Sequence, residues 1–290
     1  MSTYRIEFIT PLFSRGAYEN NPEVRPSSIR GQLHMWFRAL GGNAADEKVI
    51  FGGVHGDATA SRVVVRVSSL KGLTGSSSTL PHKNGAQASP KPAYQIGTGV
   101  DLHILSRLGG LEPRLQSALD RTLETWLLLG TLGLRGTRAA GSFCWQSKPA
   151  AFEGSLQPPC DFNSYESRCI ELTHGAPLRF ALLAQVYPAA EQARRVVSDT
   201  LGGRDDRFGQ NDLSRLNDPL GKIGGRGERK TSPLRFRIVG IGGAYRIAAV
   251  WDARTTVTGN RPSDLSGIIQ LLQQRKPALG EQLQDSALAR

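Results

Sequence analysis

Arg30, His34 and Arg38 recur every fourth residue within Ser28-Ile-Arg-Gly-Gln-Leu-His-Met-Trp-Phe-Arg-Ala-Leu40. On a helix that spacing stacks them along one edge, about 6 Å apart, beside an apolar stripe of Ile29, Leu33, Trp36, Phe37 and Leu40. Cationic groups so aligned repel one another, and an anion opposite them relieves the repulsion. A solvated helix face is the competing reading. Trp36 and Phe37 are candidates to stack on bases, although their place on the stripe favours core packing.

Two glycine-punctuated segments carry the remaining candidates. In Leu132-Gly-Leu-Arg-Gly-Thr-Arg-Ala-Ala-Gly-Ser142 the glycines let backbone amides approach a phosphate closely, while Arg135 and Arg138 supply charge. The plain alternative is a helix-to-strand turn with exposed arginines. Leu220-Gly-Lys-Ile-Gly-Gly-Arg-Gly-Glu-Arg-Lys-Thr-Ser232 superficially resembles a nucleotide-binding P-loop. It fails the pattern, because Arg229 rather than glycine precedes Lys230 and Pro233–Arg237 reads as a strand. Lys222, Arg226, Arg229 and Lys230 fit better as a clamp on a nucleic-acid backbone, or else as a surface loop.

Other chemistries find little support. The chain has no His-Glu-x-x-His, no Gly-x-Ser-x-Gly and no Gly-x-Gly-x-x-Gly between a strand and a helix. The five histidines are scattered, and the acidic pairs Asp46-Glu47 and Asp205-Asp206 read as surface groups. Three cysteines match no zinc spacing and read as free thiols of a reducing cytosol. No metal, no cofactor and no catalytic residue is expected.

Bulk properties agree with a polyanionic partner. Lys plus Arg number 36 against 25 acidic residues, a net charge of +11, and arginine forks suit phosphate better than ammonium groups. No apolar run is long enough to span a bilayer, and no signal peptide is evident, so a cytoplasmic protein without a membrane partner is expected.

The elements that would position these residues follow from periodicity. Tyr4–Thr10 alternates as a strand, Ser27 or Ser28 caps a helix over Ile29–Leu40, and Val63–Val67 is a β-branched strand. Lys71–Pro92 reads as a long surface loop. A strand over Tyr94–Leu105, a helix over Glu112–Leu132 and a strand over Ser142–Gln146 complete strand–helix–strand–strand–helix–strand, the ferredoxin-like order. Further on, strands are expected over Leu178–Val186, Pro233–Val239 and Ala244–Val250, helices over Ala189–Leu201 and Pro262–Arg275, and a loop over Arg204–Gly227. The boundary near Lys148–Pro159 divides the chain into a domain of residues 1–149 and a degenerate second copy of residues 150–290. The fold class is α+β, tandem ferredoxin-like (RRM-like) domains with long loop insertions.

Ile9-Thr-Pro-Leu-Phe13, Gly16-Ala17, Pro22-Glu-Val-Arg25, Ser28-Ile-Arg-Gly31, Trp36-Phe-Arg-Ala-Leu40 and Ile50-Phe-Gly-Gly53 resemble the first-numbered subunit family of type III-B (Cmr) CRISPR effector complexes, within the RAMP superfamily. The Gly133–Ser142 loop is similar to the superfamily's glycine-rich loop, and Ser232-Pro-Leu-Arg-Phe236 to a downstream element. The resemblance is dense over residues 6–53, moderate over 130–145 and thin over 150–220. It implies a non-catalytic subunit that contacts the 3′ region of crRNA and neighbouring subunits of the ribonucleoprotein, with target RNA as a further candidate ligand. Arg30, Arg38, Arg135 and Arg138 inherit the RNA-contacting role by motif position. Two alternatives remain open: a metal-independent endoribonuclease with His34 as general acid or base, and a structural adaptor with negligible RNA affinity of its own.

Overall fold

In the computed structural model, the described residues are 2–16, 18, 21–53, 57–107, 109–148, 156–201, 234–254, 269 and 273. The first half builds a four-stranded antiparallel sheet from β1 (Ser2–Phe8), β2 (Val63–Lys71), β5 (Gly99–Ser106) and β6 (Phe143–Ser147), in the order β2-β5-β1-β6. Helix α1 (Pro26–Ala39) and helix α3 (Pro113–Leu129) supply the two crossovers. This is the order and polarity of a ferredoxin-like βαββαβ unit.

Strict alternation explains which face the helices cover. Tyr4, Ile6 and Phe8 of β1, Val100, Leu102 and Ile104 of β5, and Phe143 and Trp145 of β6 are all buried and form one cluster with Ile29, Leu33, Trp36 and Phe37 of α1 and Leu119, Leu123 and Trp126 of α3. The opposite face is polar. There the buried Asp101 holds Arg5 at 3.2 Å and Lys148 at 2.6 Å.

Three local features depart from the sequence reading. Helix α1 starts at Pro26 with Arg25 as its extended N-cap residue and no side-chain cap. Proline at the first helical position lacks an N–H to satisfy, so Ser27 and Ser28 fall inside the first turn and cap nothing. A short helix, α2 (Ala44–Phe51), capped by Asn43, lies where no element was expected. Residues 71–92 are not simply a loop: β3 (Thr74–Ser78) pairs with β4 (Pro90–Tyr94). Serine, glycine and proline give this hairpin little intrinsic propensity. Backbone bonds of 3.0 Å in both directions between Leu12 and Tyr94 anchor it.

The second half opens with α4 (Phe162–Thr173), also unanticipated, whose Asp161 and Ser164 form a capping box. A three-stranded antiparallel sheet follows in the order β7-β9-β8, from β7 (Leu178–Tyr187), β8 (Leu234–Ile241) and β9 (Ala244–Asp252). Helix α5 (Ala190–Leu201) covers one face, over Leu234, Phe236, Ile238, Ile247 and Ala249. The other face, with Leu178, Leu182, Val239, Ala248 and Val250, joins the first-half core through Tyr165 and Cys169 of α4. The apolar interior therefore runs continuously across the two sheets. The expected loop 204–227 lies outside the described residues, as does the expected final helix apart from Ile269 and Gln273, both helical.

Helix α4 is tied to α3 by Arg168, 2.6 Å from Glu124, and by the Tyr165 hydroxyl, which donates to the Leu128 carbonyl at 2.7 Å. Leu128 lies in the last turn of α3, where carbonyls lack helical partners. Tyr165→Phe is expected to cost about 1–3 kcal/mol in urea unfolding, because it strands a buried acceptor. An unchanged midpoint would show that this carbonyl finds another donor.

Candidate nucleic-acid interface

The segment between α3 and β6 is shaped by two glycines. Gly133 has φ +77°, and a Cβ there would lie 2.4 Å from the Phe13 carbonyl oxygen. Gly141 has φ +63°, with the Leu132 carbonyl oxygen 2.0 Å from the same virtual position. No side chain is compatible with either approach. The loop then lies flat on residues 11–13: Leu134 N–H donates to Phe13 O at 2.7 Å, and Gly141 N–H donates to Pro11 O at 3.0 Å.

Within this frame a single 3₁₀ turn spans Gly136–Arg138. It is flanked by two non-glycine residues in the left-handed region, Arg135 at φ +60° and Ala139 at φ +62°. Such a conformation costs an L-residue about 1–2 kcal/mol and clusters at functional sites. Arg135 is exposed and Arg138 half-buried. Burial first, and the neighbouring Arg135 charge second, pull the Arg138 guanidinium below its ordinary value. Neither side chain has a carboxylate or any hydrogen-bond partner among the described residues. The turn packs against β8, where the half-buried Arg235 is likewise lowered by burial.

The basic line on α1 meets a different fate. Arg30 donates to the Phe51 carbonyl at the end of α2. His34 Nδ1 lies 2.5 Å from Glu47 Oε1, and its ring rests 4.7 Å from the Phe51 ring centroid. Arg38 reaches both Glu47 oxygens through Nε, at 2.9 and 2.8 Å. Glu47, expected on the surface, is instead the buried counter-charge of this line, for α2 lies along α1 and turns it inward. Its side chain is 10% exposed against 64% for Arg38. Asp46, by contrast, keeps to the surface and binds Arg114 at 2.6 Å.

A cleft of about 740 Å³ opens here, lined by His34, Arg38, Glu47, Lys48 and Arg254 among others. Lys48 and Arg254 escaped the sequence reading because they come from two separate elements and belong to no motif. Trp36 and Phe37 are 1% and 3% exposed, so both are core residues and neither can stack on a base. No hydrogen bond or ion pair among the described residues connects the α1 line with the glycine-rich turn. They are two basic places. Lys222, Arg226, Arg229 and Lys230 lie outside the described residues, as do Asp205 and Asp206. Among the described residues no group of His, Cys, Asp or Glu could hold a metal ion, and no helix is long and apolar enough to cross a membrane.

Comparison with known proteins adds to this geometry. Residues 5–144 match the family model of the RAMP superfamily. A stretch of 39 residues is 49% identical to the CRISPR system Cmr subunit Cmr1-2 of Pyrococcus furiosus, covering 13% of this chain and 21% of that relative. The crystal structure of Cmr1 from Pyrococcus furiosus, in its apo form, superposes with a TM-score of 0.55 at 18% identity over 86% of this chain and 87% of that one. A chain of the type III-B Cmr-beta complex, solved by cryo-EM bound to cognate target RNA, superposes with a TM-score of 0.58 at 9% identity, over 92% and 99% respectively. At such identities the likeness is one of fold.

Burial disfavours the Glu47 carboxylate, but the bonds from Arg38 and then His34, with their charges, outweigh it and hold the carboxyl below its usual range. Because the folded value lies below the unfolded one, the contribution is complete above the ordinary carboxylate range. It is lost as pH falls through the folded value. Glu47→Gln is expected to flatten the acid limb of stability against pH, read by urea unfolding between about pH 3 and 7. An acid limb identical to wild type would remove Glu47 from the balance.

Proposed function

We propose that this chain, whose residues 5–144 carry the RAMP superfamily domain, is a non-catalytic RNA-binding subunit of a type III-B CRISPR effector. It would work in the cytoplasm beside other subunits of the complex, holding the 3′ region of crRNA and meeting target RNA through phosphate contacts. The supporting likenesses are those to Cmr1 and to a chain of a Cmr complex that is itself bound to target RNA.

One observation carries the reading: two arginines stand on a rigid glycine-framed turn with no carboxylate among the described residues to neutralise them. A guanidinium already stripped of water gains most from an anion, and charge-assisted bonds contribute about 1.5–3 kcal/mol each. Arg235 lies on β8, the strand against which this turn packs. The α1 line is a second, weaker contact, since Glu47 offsets part of its charge and Asp252 pairs with Arg254 at the cleft wall; the exposed Arg38 would be its main phosphate-facing group. With Trp36 and Phe37 in the core, these contacts grip phosphate and ignore base identity, as a subunit that must accept any guide requires.

We further propose the tandem arrangement of residues 1–149 and 150–290. β7, α5, β8 and β9 run strand–helix–strand–strand in the order β7-β9-β8, which matches the first three strands of a ferredoxin-like unit.

The endoribonuclease reading draws on His34, a histidine oriented by a buried carboxylate in a basic cleft. No second histidine lines that cleft among the described residues. Labelled repeat RNA incubated with the protein in EDTA is expected to stay intact. Cleavage abolished by His34→Ala would reverse the assignment.

The binding reading is tested by salt titration. Each phosphate contact to a single strand contributes about −0.7 to the slope of log K against log salt. Arg135→Ala/Arg138→Ala should therefore reduce the slope by about 1.4 and weaken all RNA sequences alike. An unaltered slope, or a loss confined to one sequence, would rule the phosphate clamp out.

A further inference from the structure

Arg237 of β8 is 4% exposed and has no carboxylate partner among the described residues. Burial draws its guanidinium below the ordinary value. A buried unpaired charge is among the costlier things a fold can hold, so its partners are informative. Nη1 donates to the Gly130 carbonyl at 2.7 Å, Nη2 donates to the Phe143 carbonyl, and the guanidinium carbon sits 4.4 Å from the centroid of the Phe143 ring.

Gly130 is the residue at which α3 ends, and Phe143 is the first residue of β6. One planar fork thus grips both ends of the glycine-rich loop. The next residue of β8 adds a second tie. Ile238 N–H donates to Ser142 Oγ at 3.0 Å, and Ser142 Oγ donates to the Ala139 carbonyl at 2.9 Å. The Ala139 carbonyl also accepts from Thr10 Oγ1 at 2.9 Å. The left-handed residue that closes the arginine turn is therefore held from β1's end and from β8 at once.

We infer that Arg237 is a positioning residue: by fixing the separation of the loop's two ends it sets where Arg135 and Arg138 stand, and so couples the second sheet to RNA affinity. The last clause rests on the RNA reading above; the clamp itself does not. A lysine keeps the charge but cannot present two parallel donors to two carbonyls, so Arg237→Lys separates fork from charge.

In the full chain, hydrogen exchange at the loop amides of Leu132, Leu134 and Gly141 is expected to quicken about tenfold in Arg237→Lys, with the amides of β1 and β5 unchanged. The slope of RNA affinity against salt should fall as it does in Arg135→Ala/Arg138→Ala, and adding Arg237→Lys to that double variant should change it no further. Loop exchange at the wild-type rate would overturn the inference, as would equal losses of affinity from Arg237→Lys in both backgrounds. Should Arg237→Lys not fold, Ser142→Ala removes the parallel tie and is read by the same measurements. If the double arginine variant binds RNA normally, the RNA reading fails, while loop exchange still decides the clamp.

Discussion

Backbone pressed against backbone governs this protein's candidate site. Between α3 and β6 the chain passes so near Phe13 and Leu132 that neither Gly133 nor Gly141 has room for a Cβ, and only hydrogen fits there. That closeness makes the turn rigid, and rigidity lets Arg135 and Ala139 remain left-handed against their own preference. The main chain that carries the two arginines is consequently set in advance, with little backbone freedom left to lose when an anion arrives.

The two basic places show how a similar composition gives different electrostatics. On α1, His34 and Arg38 share one buried acid while Arg30 donates to the Phe51 carbonyl, and the local field is partly cancelled. On the loop nothing among the described residues cancels it. The difference arises from tertiary packing, because α2 brings Glu47 to the helix line and, among the described residues, no element brings an acid to the turn. In a low-dielectric setting the unbalanced place interacts more strongly with a phosphate.

Much of the fold was legible in the sequence. The 3.6-residue stripe of α1 and the alternation of β1 identified their buried faces correctly, and the strand–helix order of the first half was read as the structure has it, although the single strand expected over Tyr94–Leu105 divides between the end of β4 and β5. Where propensity was weak the reading failed. The Thr74–Ser78 and Pro90–Tyr94 hairpin is anchored by the bridge from Tyr94 to Leu12, far away in sequence, and α2 is too short for its periodicity to register. The site was half legible. Motif spacing singled out Arg30, His34, Arg38, Arg135 and Arg138, yet adjacency in sequence cannot say that Glu47 turns inward or that Arg237 reaches two carbonyls across the interior. Both are properties of packing between elements far apart along the chain.

Strand β2 borders the first sheet with one side of its main chain unpaired by any described strand. An open border of this sort invites another molecule's strand to add on. Its pairing slips between Ser68 and Lys71, where Ser69 takes φ +52°, so the last stretch curls out of plane, and the charged Arg66 and Lys71 stand along it. The irregularity blunts a template for self-association that an open sheet border would otherwise offer.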